Sequence, residues 1–221
     1  MKERPIIFNA EMVRAILDGR KTQTRRFVPE WQLPRLAKQC PDDDPDSRWI
    51  AVAQRHPRWG FGVFGATEES CAAQLTESLC PFGGHKDRLW VREAFAAGLC
   101  TKTTYAYRAT HKPEDLDEGW DERIRWKPSI HMPRYASRIN LIITNAHVQR
   151  LNDISESEAM EEGVPPAGRL AQGSYLTPKG DFATAKVAFQ RLWESIYGEE
   201  SWRSNPWVWV IEFKRVEGGA A

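Results

Sequence analysis

An α+β fold, a small mixed β-barrel with helices packed outside it, is the architecture this 221-residue sequence predicts. Two patterns predict it. Segments of strand character alternate with short segments of helical periodicity, and the chain closes on an aromatic-rich strand, Trp207-Val208-Trp209-Val210-Ile211-Glu212-Phe213. Composition agrees: 41% hydrophobic and 28% charged residues are ordinary globular usage, and ten Trp, nine Phe and five Tyr supply the bulk a core needs. A single domain over 1–221 is expected, with an insertion or lid at about 29–84.

The elements follow in order. Asn9 is a good N-cap for a helix over 10–18, in which Met12, Val13, Ile16 and Leu17 recur at helical spacing and Gly19 supplies the stop. Residues 20–28 read as a turn entering a strand. Between 29 and 84 the prolines at 29, 34, 41, 45, 57 and 81, the run Asp42-Asp43-Asp44 and the segment Gly60-Phe61-Gly62 read as a long irregular excursion. Strand character returns at 88–95, where Leu89 and Val91 alternate with Arg88 and Arg92, and again at 104–109. The stretch 111–122 is charged and expected to be solvated. A long strand over 139–151 should bend near Asn145, and Ser155-x-x-Glu158 is a capping box opening a helix that Gly163 ends. Residues 168–181 read as loop. A third helix over 183–197 gathers Val187, Leu192, Trp193 and Ile196 on one side and stops at Gly198.

Several function classes are excluded by simple counts. Lys plus Arg total 31 against 30 for Asp plus Glu, so the net charge of +1 leaves no broadly basic shell for non-specific DNA binding, although a local basic patch stays open. The apolar runs fall far short of the ~20 residues that span a bilayer, so no membrane partner is expected. The opening Met-Lys-Glu-Arg-Pro-Ile-Ile-Phe has no leader pattern, which makes the cytoplasm the expected location. Cys40, Cys71, Cys80 and Cys100 form no C-x-x-C pair and read as free thiols. His56, His85, His111, His131 and His147 form no H-x-x-x-H pair, so neither metal nor other cofactor is expected. No glycine-rich phosphate loop appears, so nucleoside triphosphate chemistry is not expected either.

Chemistry concentrates in Arg20-Lys21-Thr22-Gln23-Thr24-Arg25-Arg26, just past the first helix. Read blandly, it is a solvated basic turn. Read functionally, Lys21 is a base for the Thr24 hydroxyl, with burial and the neighbours Arg20, Arg25 and Arg26 lowering its pKa. Flat strand geometry would send positions 21 and 24 to opposite faces, so a joint role requires the turn or a bulge.

The run Ile16 to Arg26 resembles the opening signature of the ASCH family, a branch of the PUA-like superfamily of small β-barrels. Three further segments agree in order: Asp87-Arg88-Leu89-Trp90-Val91-Arg92-Glu93 resembles the family's central strand, Ile154 to Gly163 its acidic helix end, and 207–213 its final strand. With Trp126-Lys127-Pro128-Ser129-Ile130-His131-Met132-Pro133-Arg134, the pattern is similar to a subgroup common in phages and prophages. At His85-Lys86-Asp87 the chain departs from the Gly-Asp that many relatives place before the central strand.

The resemblance implies a PUA-like barrel and an activity. Small bacterial ASCH amidohydrolases remove acyl groups from the exocyclic amine of cytidine without a metal, and their site carries over as Lys21, Thr24 and Glu162. Glu161 is the neighbouring alternative to Glu162. Either Thr24 is the nucleophile with Lys21 as its base, or Glu162 activates a water and Thr24 orients the substrate. Arg20, Arg25, Arg26, Trp90 and Arg134 are the candidate substrate-binding residues, with Trp90 and Trp126 as platforms for a base. Arg134 and Arg138 read equally well as an ordinary pair at a strand entry, and Ser129 beside His131 lacks a nucleophile elbow. A nucleoside is the expected partner. Other ASCH relatives are RNA-binding or RNA-cleaving, so an RNA or modified-base binding module and a ribonuclease stand as alternatives.

Overall fold

The computed structural model of the chain describes residues 1–37, 45–53, 61–97, 105–111 and 125–216. Cys40, Cys100, His56, the run Asp42-Asp43-Asp44 and most of the charged stretch 111–122 lie outside the described residues.

Strand β1 (Glu3–Ile7) leads into helix α1 (Ala10–Leu17), whose N-terminus is capped by the Asn9 side chain accepting from Met12 N at 2.8 Å. Gly19 ends the helix at φ +74°, a conformation open to glycine, and β2 (Gln23–Phe27) follows. The stretch read as irregular instead carries a small antiparallel meander, β3 (Arg35–Leu36), β4 (Trp49–Val52) and β5 (Gly62–Gly65), and a capped helix, α2 (Glu68–Ala73). Strands this short, between prolines, leave too little periodicity to read. Then come β6 (Arg88–Arg92), β7 (Phe95–Ala97), β8 (Tyr105–Tyr107) and the long β9 (Asn140–Arg150). The capping box at Ser155 and Glu158 forms as expected and opens α3 (Glu156–Glu161). Within the expected loop lies β10 (Tyr175–Leu176), which pairs with β11 (Phe182–Ala183) just past the loop's end, at the expected start of the third helix. Helix α4 (Ala185–Tyr197), a short α5 (Glu199–Arg203) not read from sequence, and β12 (Trp207–Val216) complete the chain.

The fold is mixed α+β around a five-stranded sheet of order β1-β6-β9-β12-β2, in which only β1 and β6 run parallel. No ladder joins the edge strands β1 and β2 among the described residues, so backbone pairing does not close the sheet into the expected barrel. A side chain spans the seam: Arg26 on β2 donates from Nη2 to the carbonyl of Ile7 on β1 at 3.0 Å. The bend expected near Asn145 is present, because the β9–β12 register shifts between Glu212 and Phe213, which pair with Asn145 and Ile143 and leave Thr144 as the extra residue.

Two hydrophobic clusters lie on opposite faces of β12. Trp209, Ile211 and Phe213 pack into the first with Phe8, Val13, Leu89, Leu141 and Ile143, whereas Val208 and Val210 pack into the second with Leu151, Ala159, Phe189 and Trp193. This is why the terminal strand is apolar at consecutive positions rather than alternating. Ala51, Cys71, Ala72, Leu75 and Cys80 belong to the first cluster, so the described parts of this stretch, 45–53 and 61–84, pack onto the sheet. The expected face of α4 holds at Trp193 and needs correction elsewhere. Ala185, Ala188, Phe189 and Trp193 are its buried residues, while Val187 and Ile196 are exposed. Ala185 and Ala188 are buried in the second cluster together with Leu151, Ile154 and Ala159, a placement that hydrophobicity alone does not reveal.

In the turn before β6, Lys86 adopts φ +67°, in the left-handed region that glycine fills readily. Asp87 ties this turn to the N-terminal strand by accepting from Lys2 N at 2.7 Å and from Arg4 Nη1 at 3.0 Å.

Candidate active site

The turn after α1 places Lys21 just before β2. Its backbone N–H donates to Ala15 O, and the residue forms an isolated antiparallel bridge with Glu162 at the end of α3, where Thr22 N also donates to Glu161 O. The acidic helix end is thereby docked on the free edge of β2. Gly163 permits this approach: it sits at φ +87°, and a Cβ there would lie 2.8 Å from Lys21 Cβ and 2.9 Å from Ala15 Cβ.

Register then sorts the side chains of β2. Thr24 and Arg26 pair with Ile211 and Trp209 and so face the first cluster, whereas Arg25 pairs with Val210 and faces the second. Glu162 stands at the strand edge between them and is reached from both sides. Lys21 Nζ donates to Glu162 Oε2 and to the Glu162 carbonyl, both at 2.7 Å, and Arg25 Nη1 donates to Glu162 Oε1 at 3.1 Å. Arg25 Nη2 continues to Glu158 Oε1 at 3.0 Å, one helical turn earlier on α3.

On the other side, Arg26 Nη1 donates to Thr24 Oγ1 at 2.8 Å. Lys21 Nζ and the Arg26 guanidinium lie 5.8 and 5.2 Å from the same ring, Phe8, which gathers Lys21, Arg26 and Thr24 on one side of the strand. The opposition expected from flat strand geometry is avoided because Lys21 precedes the strand.

The centre of this cluster is buried, with Arg26 and Glu158 half-buried at its margins. Lys21, Thr24, Arg25 and Glu162 are each at most 4% exposed, while Glu161 is exposed, so of the two glutamates only Glu162 joins the cluster. Burial pushes the Lys21 ammonium below the ordinary lysine range; Glu162 opposes this, and the nearby Arg26 and Arg25 reinforce it. Glu161 is raised, by desolvation first and then by Glu212 and Glu158.

Two cavities border the cluster. A cleft of about 370 Å³ is bounded by Met12, Arg14, Arg20, Glu162, Pro165 and Leu176, among others. A compartment of about 20 Å³ is bounded by Thr24, Arg25, Arg26 and Glu162 and by Phe189, Trp193, Ile196 and Tyr197 of α4.

The expected substrate-binding residues divide. Arg20 reaches the rim of the larger cleft, donating to Gly163 O and pairing with Asp18. Arg25 and Arg26 are instead largely spent inside the protein, on Glu162, Glu158, Thr24 and Ile7. Trp90 alternates with Leu89 and Val91, which enter the first cluster, so it lies across the sheet from Thr24. Arg134 is with Trp90, its guanidinium 5.9 Å from that ring and bonded to Glu3. Neither joins the Lys21 cluster. Sequence reading missed Phe8, Glu158 and the α4 wall; Glu158 was legible only as a helix cap, which it also is.

Among the described residues, no three His, Cys, Asp or Glu side chains are grouped to hold a metal ion, and no helix is long and apolar enough to cross a membrane. Glu162 and Thr24 border the small compartment, and Lys21 reaches it through its ion pair with Glu162; a carboxylate paired with a buried ammonium beside a hydroxyl can move a proton to and from an oxygen or nitrogen bound there. No family model, curated protein or solved structure matches the chain.

Proposed function

We propose that this chain is an ASCH-type amidohydrolase that needs no metal and removes the acyl group from the exocyclic N4 amine of cytosine nucleosides, giving cytidine and a carboxylate. The observation that carries the reading is the buried Lys21–Glu162 pair, 2.7 Å from Nζ to Oε2, beside a Thr24 hydroxyl held by Arg26. On this reading the curled sheet is a PUA-like barrel whose last seam is bridged by Arg26 rather than by a ladder, and the protein works in the cytoplasm.

The chemistry balances as follows. Thr24 Oγ attacks the acyl carbon while its proton passes to Lys21 Nζ, which burial keeps within reach of its neutral form. Glu162 takes the proton from Nζ and delivers it to N4 as the C–N bond breaks, leaving cytidine and an ester on Thr24. Water then cleaves the ester through the same relay. Lys21, Arg25 and Arg26 set three cations against the carboxylates of Glu158 and Glu162, an excess that suits the negative charge on a tetrahedral oxygen.

The test is the change in ultraviolet absorbance as N4-acetylcytidine is hydrolysed. Lys21→Ala, Thr24→Ala and Glu162→Ala should each remove most activity, and double variants little more, because residues acting as a unit are not additive. Absence of turnover of any acylated cytosine by folded wild-type protein would end the hydrolase reading, and loss of turnover with a chelator would end this mechanism.

One observation favours a second reading. Arg88, Trp90 and Arg92 alternate on the sheet face away from the first cluster, with Arg134 beside them, an arrangement suited to stacking on RNA. An RNA-binding module would lose affinity steeply with salt, whereas turnover of a neutral nucleoside would not.

A further inference from the structure

Resting on the hydrolase reading above, we infer that Ile196 and Tyr197 at the end of α4 determine which acyl groups the enzyme accepts, because the acyl side of the amide occupies the small compartment and the amine side the larger cleft. An amide has two ends, and the two cavities offer them different chemistry. Thr24, which attacks the acyl carbon, borders the small compartment and not the cleft. Glu162, which protonates the nitrogen, borders both. A substrate with its carbon at Thr24 and its nitrogen at Glu162 therefore has one orientation. Its acyl substituent points towards Trp193, Ile196 and Tyr197, and its base and sugar lie in the cleft.

The volumes fit this assignment. The cleft, at about 370 Å³, lies in the range of ~300–1,000 Å³ typical of small-molecule sites. The compartment, at about 20 Å³, has room for roughly one water-sized group, which is a methyl and not a ring. Its outer wall is held in place: the Tyr197 ring lies 4.9 Å from Phe27, near-perpendicular to it, and 4.5 Å from Trp193. Yet Tyr197 and Ile196 are 40% and 43% exposed, whereas Trp193 is buried at 3%. Trimming the first two widens the compartment without hollowing the second cluster.

The experiment compares kcat/KM for N4-acetylcytidine and N4-benzoylcytidine in wild type, Tyr197→Ala, Ile196→Ala and Pro178→Trp, the last narrowing the cleft from its rim. A single methylene in an apolar pocket discriminates by about 10–200-fold, so wild type should favour the acetyl substrate by at least about tenfold. Tyr197→Ala and Ile196→Ala should each cut that preference by about tenfold or more, and Pro178→Trp should weaken both substrates while keeping their ratio. The inference is overturned if wild type accepts benzoyl as well as acetyl, if neither α4 variant that folds moves the ratio, or if Pro178→Trp alone moves it. Failure of folded wild type to turn over either substrate would instead overturn the hydrolase reading and this inference with it.

Discussion

A methyl group added at Gly163 would test how tightly the helix end is docked against Lys21. Gly163 sits at φ +87°, and a Cβ placed there lies 2.8 Å from Lys21 Cβ, 3.3 Å from Lys21 Cγ and 2.9 Å from Ala15 Cβ. Two costs therefore add in Gly163→Ala. Left-handed backbone costs a non-glycine residue about 1–2 kcal/mol, and forcing a methyl into occupied space costs about 1–3 kcal/mol. The sum, roughly 2–5 kcal/mol, is a large part of the ~5–15 kcal/mol that stabilises a domain. Gly19→Ala is the control, since Gly19 has φ +74° and a methyl there would meet nothing within 4 Å. It carries the conformational cost alone. The entropy that alanine removes from the unfolded chain is common to both variants and cancels in the comparison. Urea denaturation should thus find Gly163→Ala less stable than Gly19→Ala by about 1–3 kcal/mol. Hydrolysis should separate them further, because displacing Lys21 by a fraction of an ångström to an ångström costs up to about 10²-fold in rate. Equal stability and equal activity in the two variants would refute the docking of Glu162 and Lys21 as described.

Three other outcomes follow from the geometry. Glu162→Gln should lower kcat by about 10²–10⁴-fold, the range for a lost general acid, while Glu161→Gln, at an exposed carboxylate, should stay within about twofold of wild type; the reverse order would exchange the two glutamates' roles. Lys86→Gly relieves a left-handed lysine at φ +67° and should raise the urea midpoint, by about 0.5–1 kcal/mol after the added freedom of the unfolded chain is deducted; a loss of stability would contradict the turn. If neutral Lys21 is the base, kcat/KM should fall as pH drops through its lowered pKa and level off above it, and Lys21→Arg should be inactive at every pH. A limb confined to the carboxylate range would assign the base to Glu162 and a water instead.

Local signals carried much of the fold because they are backbone effects that neighbouring residues impose. Asn9, Gly19, Ser155, Glu158 and Gly163 act through one or two hydrogen bonds or a single dihedral angle, and the elements they bound appear where those residues place them. The doubly apolar β12 was likewise readable, since consecutive large side chains can be buried only on a strand covered on both faces. Tertiary structure decided what depends on partners distant in sequence. Hydrophobicity found Trp193 on α4 but also chose the exposed Val187 and Ile196, because packing within the second cluster, not side-chain size, selects Ala185 and Ala188. The candidate arginines separated for a similar reason: alternation across β2 turns Arg26 towards Thr24 and Arg25 towards Glu162, and the same alternation on β6 turns Trp90 away from both. The residues Lys21, Thr24 and Glu162 were named from the sequence by resemblance. Their burial and the two unequal cavities beside Glu162 exist only once the chain has brought position 162 against position 21, and no local propensity encodes a contact across that separation.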